Sequence, residues 1–311
     1  MKRLLCLLAL SILPSLASAA EKPDWAFPVM DRVQPQTPPD DGKPKSAPGS
    51  TRTYTKAQIE DTFNPPDWYP DEHPPLPNVV AKGNGTTVRA CMACHLPTGT
   101  GHDESAYIAG QPSNYLIRQM AEYKSGTRKG SGSMTTIALN ITDSDTKAAS
   151  DYFASLPTRP WIRVVETGTV PKTYVGPGNK RLIHPDKVME PIGTRIIEIP
   201  EEQDAVLNRN PKVGFVAYVP TGSIAKGGDL VKTGSNGKAV ACAICHGTDL
   251  KGLGEVPGIA GRTATYIVRQ LFMIQDGERA GPTVALMQQV VANLSLEDMV
   301  NIAAYTASRQ P

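Results

Sequence analysis

Cys91-Met92-Ala93-Cys94-His95 and Cys242-Ala243-Ile244-Cys245-His246 are the two stretches from which the rest of the chain is read. Each carries two thiols three positions apart, with an imidazole directly after the second. A Cys-x-x-Cys pair alone fits a thioredoxin-like redox switch, and two such pairs fit a four-cysteine zinc site. Neither needs the histidine. C-x-x-C-H is the attachment pattern of c-type haem: two thiols form thioethers with the vinyl groups on one porphyrin edge, and the histidine reaches the iron. We therefore expect two covalently bound haem c groups, held by Cys91, Cys94, His95, Cys242, Cys245 and His246.

The fifth cysteine, Cys6, belongs to a different kind of segment. Met1-Lys2-Arg3 is a basic start, Leu4 to Leu16 is an apolar run too short to span a bilayer, and Ala17-Ser18-Ala19 is a small-residue cleavage site. Residues 1–19 read as a signal peptide that sends the chain to the periplasm. Its removal takes Lys2 and Arg3, so the 32 Lys+Arg fall to 30 and match the 30 Asp+Glu. That balance excludes a strongly electrostatic nucleic-acid binder. A composition 40% hydrophobic and 20% charged excludes wholesale disorder. The 311 residues make about two domains at roughly 100–200 residues each. Only 5 Phe, 3 Trp and 10 Tyr serve them, few for two cores unless each is organised around a flat macrocycle.

The offset that superposes the two motifs also superposes much of the chain downstream of each. Ile108-Ala109-Gly110 falls on Ile259-Ala260-Gly261, and Tyr115-Leu116-Ile117-Arg118-Gln119-Met120 on Tyr266-Ile267-Val268-Arg269-Gln270-Leu271. Gly126-x-Arg128 falls on Gly277-x-Arg279. After a two-residue insertion, Met134 to Thr142 matches Met287 to Ser295, and Tyr152-x-Ala154-Ser155 matches Tyr305-x-Ala307-Ser308. The chain is a duplication, with domains expected at 78–157 and 223–311. One helix in each copy runs up to Gly126 or Gly277. The last helix of each opens on a hydroxyl three residues ahead of an acid, Thr142 to Asp145 and Ser295 to Asp298, as in a capping box. Pro157 stops the first of these helices.

Met134 lies 39 residues after His95, and Met287 lies 41 after His246. They superpose in the repeat, whereas Met92 meets Ala243 and Met120 meets Leu271. A methionine usually fills a gap in a core; these two are expected as the second iron ligands, which would make the metal ligands His95, Met134, His246 and Met287. His/Met ligation raises a haem's potential. His73, His102 and His184 do not recur and read as ordinary surface histidines. Arg128 and Arg279 recur near a helix end, and two readings stand: counter-charges to haem propionates, or solvated turn residues.

These residues resemble tandem two-haem class I cytochromes c. The second copy carries C-x-x-C-H, Gly247-x4-Gly252, Pro257-x-Ile259-x-Gly261, Tyr266-x3-Gln270-Leu271, Gly277-x-Arg279, Met287 and Ala304-Tyr305-x-Ala307-Ser308. The likeness spans about 170 residues. It implies a mainly α fold: two class I helical domains joined by an irregular, partly β segment at 158–222. It also implies that the Pro257 carbonyl accepts the Nδ1 proton of His246. The first copy has Ala106 in place of that proline and Leu96 in place of Gly247. The long joining segment is itself a departure. Trp161 to Val165 and Arg195 to Ile199 have strand composition, and the segment is expected to pack across both domains. Residues 20–77 hold 13 of the 28 prolines. Glu21 to Ser50 reads as a disordered or polyproline II arm, and Trp68, Tyr69 and Leu76 as anchors on the first domain.

The expected function is single-electron transfer between redox proteins, with a dehydrogenase as donor and a terminal oxidase or another cytochrome as acceptor. The protein would act as a soluble carrier or as the cytochrome subunit of a complex, with peripheral association to a membrane assembly. The contrasting class is a two-haem enzyme, a peroxidase or sulfur-compound oxidoreductase. That needs one labile iron ligand, and both methionines are present.

Overall fold

The computed structural model describes residues 21–36, 40–102, 104–235 and 237–311; the expected signal peptide and Cys6 lie outside them. Among the described residues the elements run β1 (Lys45–Ser46), β2 (Thr53–Tyr54), α1 (Lys56–Glu60), α2 (Asn78–Ala81), α3 (Met92–His95), α4 (Ser113–Ser125), α5 (Gly132–Asn140) and α6 (Asp143–Ser155). Six strands come next: β3 (Ile162–Thr167), β4 (Thr169–Pro171), β5 (Thr173–Val175), β6 (Arg181–Ile183), β7 (Met189–Pro191) and β8 (Ile197–Pro200). Then come α7 (Gln203–Leu207), β9 (Phe215–Pro220), α8 (Ser223–Thr233), α9 (Ala243–His246), α10 (Ala264–Gln275), α11 (Ala285–Val291) and α12 (Leu296–Ala307).

The helix ends obey the local chemistry. Gly126 caps α4 in the left-handed conformation. The Thr142 side chain accepts from the Asp145 amide at the start of α6. At α12 Ser295 accepts from the Asp298 amide while the Asp298 carboxylate accepts from the Ser295 amide, a complete capping box. Helices α8 and α12 cross at Gly227, where a Cβ would stand 1.9 Å from the Asn301 carbonyl oxygen. Only a glycine lets the two backbones approach so closely.

Two helical halves each bury a core. One gathers Val79, Val80, Met92, Tyr107, Tyr152 and Phe153. The other gathers Leu230, Val268, Phe272, Met299, Ile302 and Tyr305. Between them lies a sheet ordered β3-β9-β8, with β9 parallel to β3 and antiparallel to β8. Side chains alternate across a strand, so Phe215, Ala217 and Val219 share one face of β9. Phe215 joins the first core, and Ala217 and Val219 the second. Tyr218, on the opposite face, packs with Val170, Ile192, Ile197 and Ile199, under the ribbons β4-β7 and β5-β6. The joining segment thus packs on both halves, with more regular sheet than its composition predicts.

The proline-rich segment departs from expectation. Ala26 is fully buried in the second core, and Phe27 meets Phe272 edge-on at 5.7 Å. Asp31 exchanges two hydrogen bonds of 3.0 Å with Val175. The few apolar residues between the prolines find partners that are distant in sequence, so the described parts of 21–50 are docked chain rather than a free arm. Leu76 packs on the first core as expected. Trp68 and Tyr69 instead build a small cluster with Ala47 and Ile59, and the Trp68 indole donates to the Asn208 carbonyl at 2.8 Å.

Candidate haem sites and the interface between them

The two cysteine motifs fold alike. Cys91 and Cys242 head one-turn helices, and the amides of His95 and His246 donate back to their carbonyls at 2.9 and 3.0 Å. One turn therefore holds both thiols and the imidazole of each motif together. Each turn ends in a left-handed residue, Gly247 at φ 83° and Leu96 at φ 60°. Glycine takes that positive φ with an extended ψ freely, whereas for a leucine it costs of order 1–3 kcal/mol. Leu96 is buried in the first core, which offsets the strain.

His95 Nδ1 donates to the Ala106 carbonyl at 2.9 Å, and His246 Nδ1 to the Pro257 carbonyl at 2.8 Å. The bond implied for Pro257 is present, and Ala106 makes it equally well because the acceptor is backbone. Burial holds both imidazoles below the ordinary histidine range against the opposing pull of those carbonyls. Each ring is therefore neutral, with its proton on Nδ1 and the Nε2 lone pair available to a metal. Burial also pushes the Cys91 thiol up to about 12 and the Cys242 thiol up to about 11. The four cysteines are not joined to one another. Among the described residues no group of three or more His, Cys, Asp or Glu side chains is placed to hold a metal ion. Two thiols held on one turn with a neutral, oriented imidazole fit a covalently attached haem.

Met134 stands in the first turn of α5, where the Ser131 hydroxyl accepts from its amide at 3.3 Å. Met287 stands early in α11 and packs half-buried against the second core. Two of the other three histidines differ from expectation. His102 is buried, and burial together with the charges of Lys180 and Arg209 holds it well below the usual range. His73 is also covered, its Nε2 3.2 Å from Asp67 Oδ1. His184 remains partly exposed beside Asp186.

The recurring arginines are not solvated. Arg128 and Arg279 are 4% and 7% exposed and pair through their backbones where the halves meet. Arg128 donates to Gln119 Oε1 at 2.5 Å within its own half, and to the Tyr266 hydroxyl (2.8 Å) and Gln270 Oε1 (3.0 Å) of the other. Arg279 mirrors this, donating to Gln270 Oε1 (3.0 Å), the Tyr115 hydroxyl (3.3 Å) and Gln119 Oε1 (2.8 Å). Residue i meets j and j meets i, the signature of a two-fold contact, here within one chain. All these acceptors are neutral. The Nε groups of both arginines and Gln119 Nε2 are buried without a hydrogen-bond partner. Buried cations of this kind cost several kcal/mol unless an anion answers them, and a haem carries two carboxylates.

Further contacts join the halves, among them two buried ones. Gln111 and Gly258 exchange hydrogen bonds of 2.7 and 3.0 Å, and Arg262 donates to the carbonyls of Tyr107 (3.2 Å) and Ala109 (2.9 Å). Sequence reasoning missed these residues. Tyr115/Tyr266 and Gln119/Gln270 carried a signal, since both pairs recur, but recurrence does not show that the copies face one another.

No protein-family model matches the chain. It is 38% identical over 90 residues to cytochrome c-554(548) of Halomonas halodenitrificans, a match covering 29% of this chain and 99% of the relative. It is 25% identical over 224 residues to cytochrome c-552 of Acidithiobacillus ferridurans, covering 70% of this chain and 73% of the relative. It is 24% identical over 225 residues to a thiosulfate dehydrogenase electron acceptor of Thiomonas intermedia, covering 71% and 78%.

Proposed function

The chain belongs to the c-type cytochromes, as an electron-transfer member carrying two covalently bound haems, and from that premise we propose that it is a periplasmic carrier serving a dehydrogenase. It acts either as a free shuttle or as the cytochrome subunit of the dehydrogenase complex. Residues 78–157 and 223–311 are the two class I cytochrome c domains, and 158–222 joins them. The likeness to an electron acceptor of thiosulfate dehydrogenase supports a sulfur-compound dehydrogenase as donor. A terminal oxidase or another cytochrome is the acceptor. Among the described residues no helix is long and apolar enough to cross a membrane, and contact with a membrane-bound complex is proposed as peripheral.

Bound haem supplies one-electron chemistry, and this chain's residues attach it, orient it and tune it. Cys91, Cys94, Cys242 and Cys245 would form the thioethers. His95 and His246, held in one tautomer by Ala106 and Pro257, would offer Nε2 to the iron. Met134 and Met287 would supply the sulfur ligands. Arg128 and Arg279 would bring positive charge to the haem carboxylates. The observation that carries the reading is the repeated turn of two thiols and a neutral imidazole with its Nδ1 already engaged.

A spectroelectrochemical titration of the mature protein tests it. Two haem additions by intact mass, two one-electron waves and no fast cyanide binding are expected. Rapid cyanide binding at one ferric iron would replace the carrier with an enzyme that has an open site.

A further inference from the structure

The two motif turns superpose in sequence but are treated differently by the rest of the chain. Ala93 corresponds to Ile244, and His102 corresponds to Leu253. Ala93 is 0% exposed and Ile244 69%; His102 is 8% exposed and Leu253 63%. Cys245 is exposed, whereas its counterpart Cys94 is half-covered.

The difference comes from segments that lie outside the repeat. Arg209, in the joining segment, donates from Nη1 to the Ala93 carbonyl and from Nε to the Ile59 carbonyl at 2.7 Å. One guanidinium thus clamps the first motif turn to α1. Arg209 does so from a left-handed backbone at φ 56°, a conformation that non-glycine residues seldom adopt. The Ala90 amide donates to the Thr62 carbonyl at 3.0 Å, just ahead of Cys91. The Trp68 indole ties the same lobe to Asn208. Gln58, on α1, lines a cleft together with Met92 of the motif. Among the described residues the second turn has no such cover. Of the charged residues near it in sequence, Lys238 is engaged with Asp298 (2.5 Å), Lys251 with the Pro311 carbonyl (2.9 Å) and Glu255 with Arg118 (2.8 Å), while Asp249 is exposed and accepts from the Lys251 amide at 3.2 Å.

We propose that the turn of Cys242, Cys245 and His246 is the port through which electrons pass to and from partner proteins, while the turn of Cys91, Cys94 and His95 is closed by the chain's own added lobe and exchanges electrons within the molecule. The proposal rests on the two-haem carrier reading. The thioethers fix a haem edge at the cysteines, so the turn left bare sets which edge a partner approaches, and electron tunnelling falls steeply with that distance. The occupant the bare turn fits is a one-electron redox protein with a weakly charged contact face, because Ile244 and Leu253 are apolar and, Asp249 apart, the neighbouring charges are engaged within the chain.

The test uses the fully reduced two-haem protein and hexacyanoferrate(III) in stopped flow. Each ferrous iron gives up one electron to become ferric, and each hexacyanoferrate(III) becomes hexacyanoferrate(II). At low ionic strength Ile244→Glu should slow the bimolecular phase about threefold and Ile244→Lys speed it about threefold, the scale of one unit charge near a trivalent anion in water. Gln58→Glu and Gln58→Lys place the same charges beside the first turn and should leave the rate unchanged. Ile244 variants without effect, or Gln58 variants with an equal effect, overturn the port. Intact mass and the absorption spectrum are taken on every sample. A chain lacking two haems overturns the carrier reading itself, a failure distinct from unmoved rates in a chain that has both.

Discussion

At His95 and His246 one bond is made by two different sequences, with Ala106 as acceptor in the first copy and Pro257 in the second. Because the acceptor is a backbone carbonyl, the side chain at that position is free to vary while ring orientation and tautomer stay fixed. The methionine ligand proposed for each iron would have no such tolerance, since only a side chain can supply its sulfur. Met134→Ala and Met287→Ala should each abolish the Met-to-iron charge-transfer band of one haem. Each should also lower that haem's midpoint by on the order of 0.1 V, a fraction of the roughly 0.8 V range that axial ligation commands. Visible spectra and a redox titration of each variant check this, and a variant with an unmoved band would show that the sulfur comes from elsewhere. Leu96 illustrates how magnitudes decide between effects. Its positive-φ, extended-ψ backbone costs of order 1–3 kcal/mol, but removing a buried leucine costs about 2–5 kcal/mol. The side chain therefore wins where the second copy uses Gly247.

At the scale of elements, packing is set where side chains are absent as much as where they are large. Gly227 brings α8 against the Asn301 carbonyl of α12, and Phe215, Ala217 and Val219 let one strand face serve both cores. Gly227→Ala should cost about 2–3 kcal/mol, the scale of overpacking a close contact, measured by denaturant unfolding of the haem-loaded protein. The lobe of residues 45–77 carries a pH dependence of its own. The Asp67 carboxylate raises the His73 pKa above its ordinary 6.5 against the effect of burial. A raised pKa means that the folded form binds the proton more tightly. The stabilisation is therefore fully present below the unfolded-state value near 6.5 and is lost as pH rises through the folded value. Against His73→Gln, the native protein should show its largest advantage below about pH 6 and little above about pH 8. Unfolding curves at pH 5 and pH 8 measure the difference, and an advantage that grew with pH would reverse the assignment.

Across the whole molecule, what could be read from the residues was whatever local covalent chemistry dictates. The C-x-x-C-H turns, the caps at Thr142 and Ser295 and the stop before Pro157 need only neighbours within a few positions. The docking of Ala26 and Phe27 was hidden because prolines dominate that stretch and the anchoring contacts lie more than a hundred residues away. The interface was hidden for a subtler reason. A residue that faces its haem and a residue that faces its own twin recur with the same spacing, so Tyr115/Tyr266, Gln119/Gln270 and Arg128/Arg279 looked like repeats of a domain and not like a contact between two. Their mutual arrangement joins the halves through one hydrogen-bonded network. Gln119 Oε1 accepts from Arg128 and Arg279 together, and Gln270 Oε1 does the same. Removing either guanidinium therefore disturbs donors and acceptors on both sides. A cation nearby favours the reduced haem, which holds one more electron, so its loss must lower the potential. One unit charge at about 10 Å with an effective dielectric constant of about 20 is worth about 1.7 kcal/mol, some tens of millivolts. Arg128→Gln alone should accordingly lower both midpoints by tens of millivolts, and Arg279→Gln alone should do the same. The two waves are tracked in one spectroelectrochemical titration. A shift confined to the haem of the mutated half would mean that each arginine serves its own domain and that the shared network couples nothing.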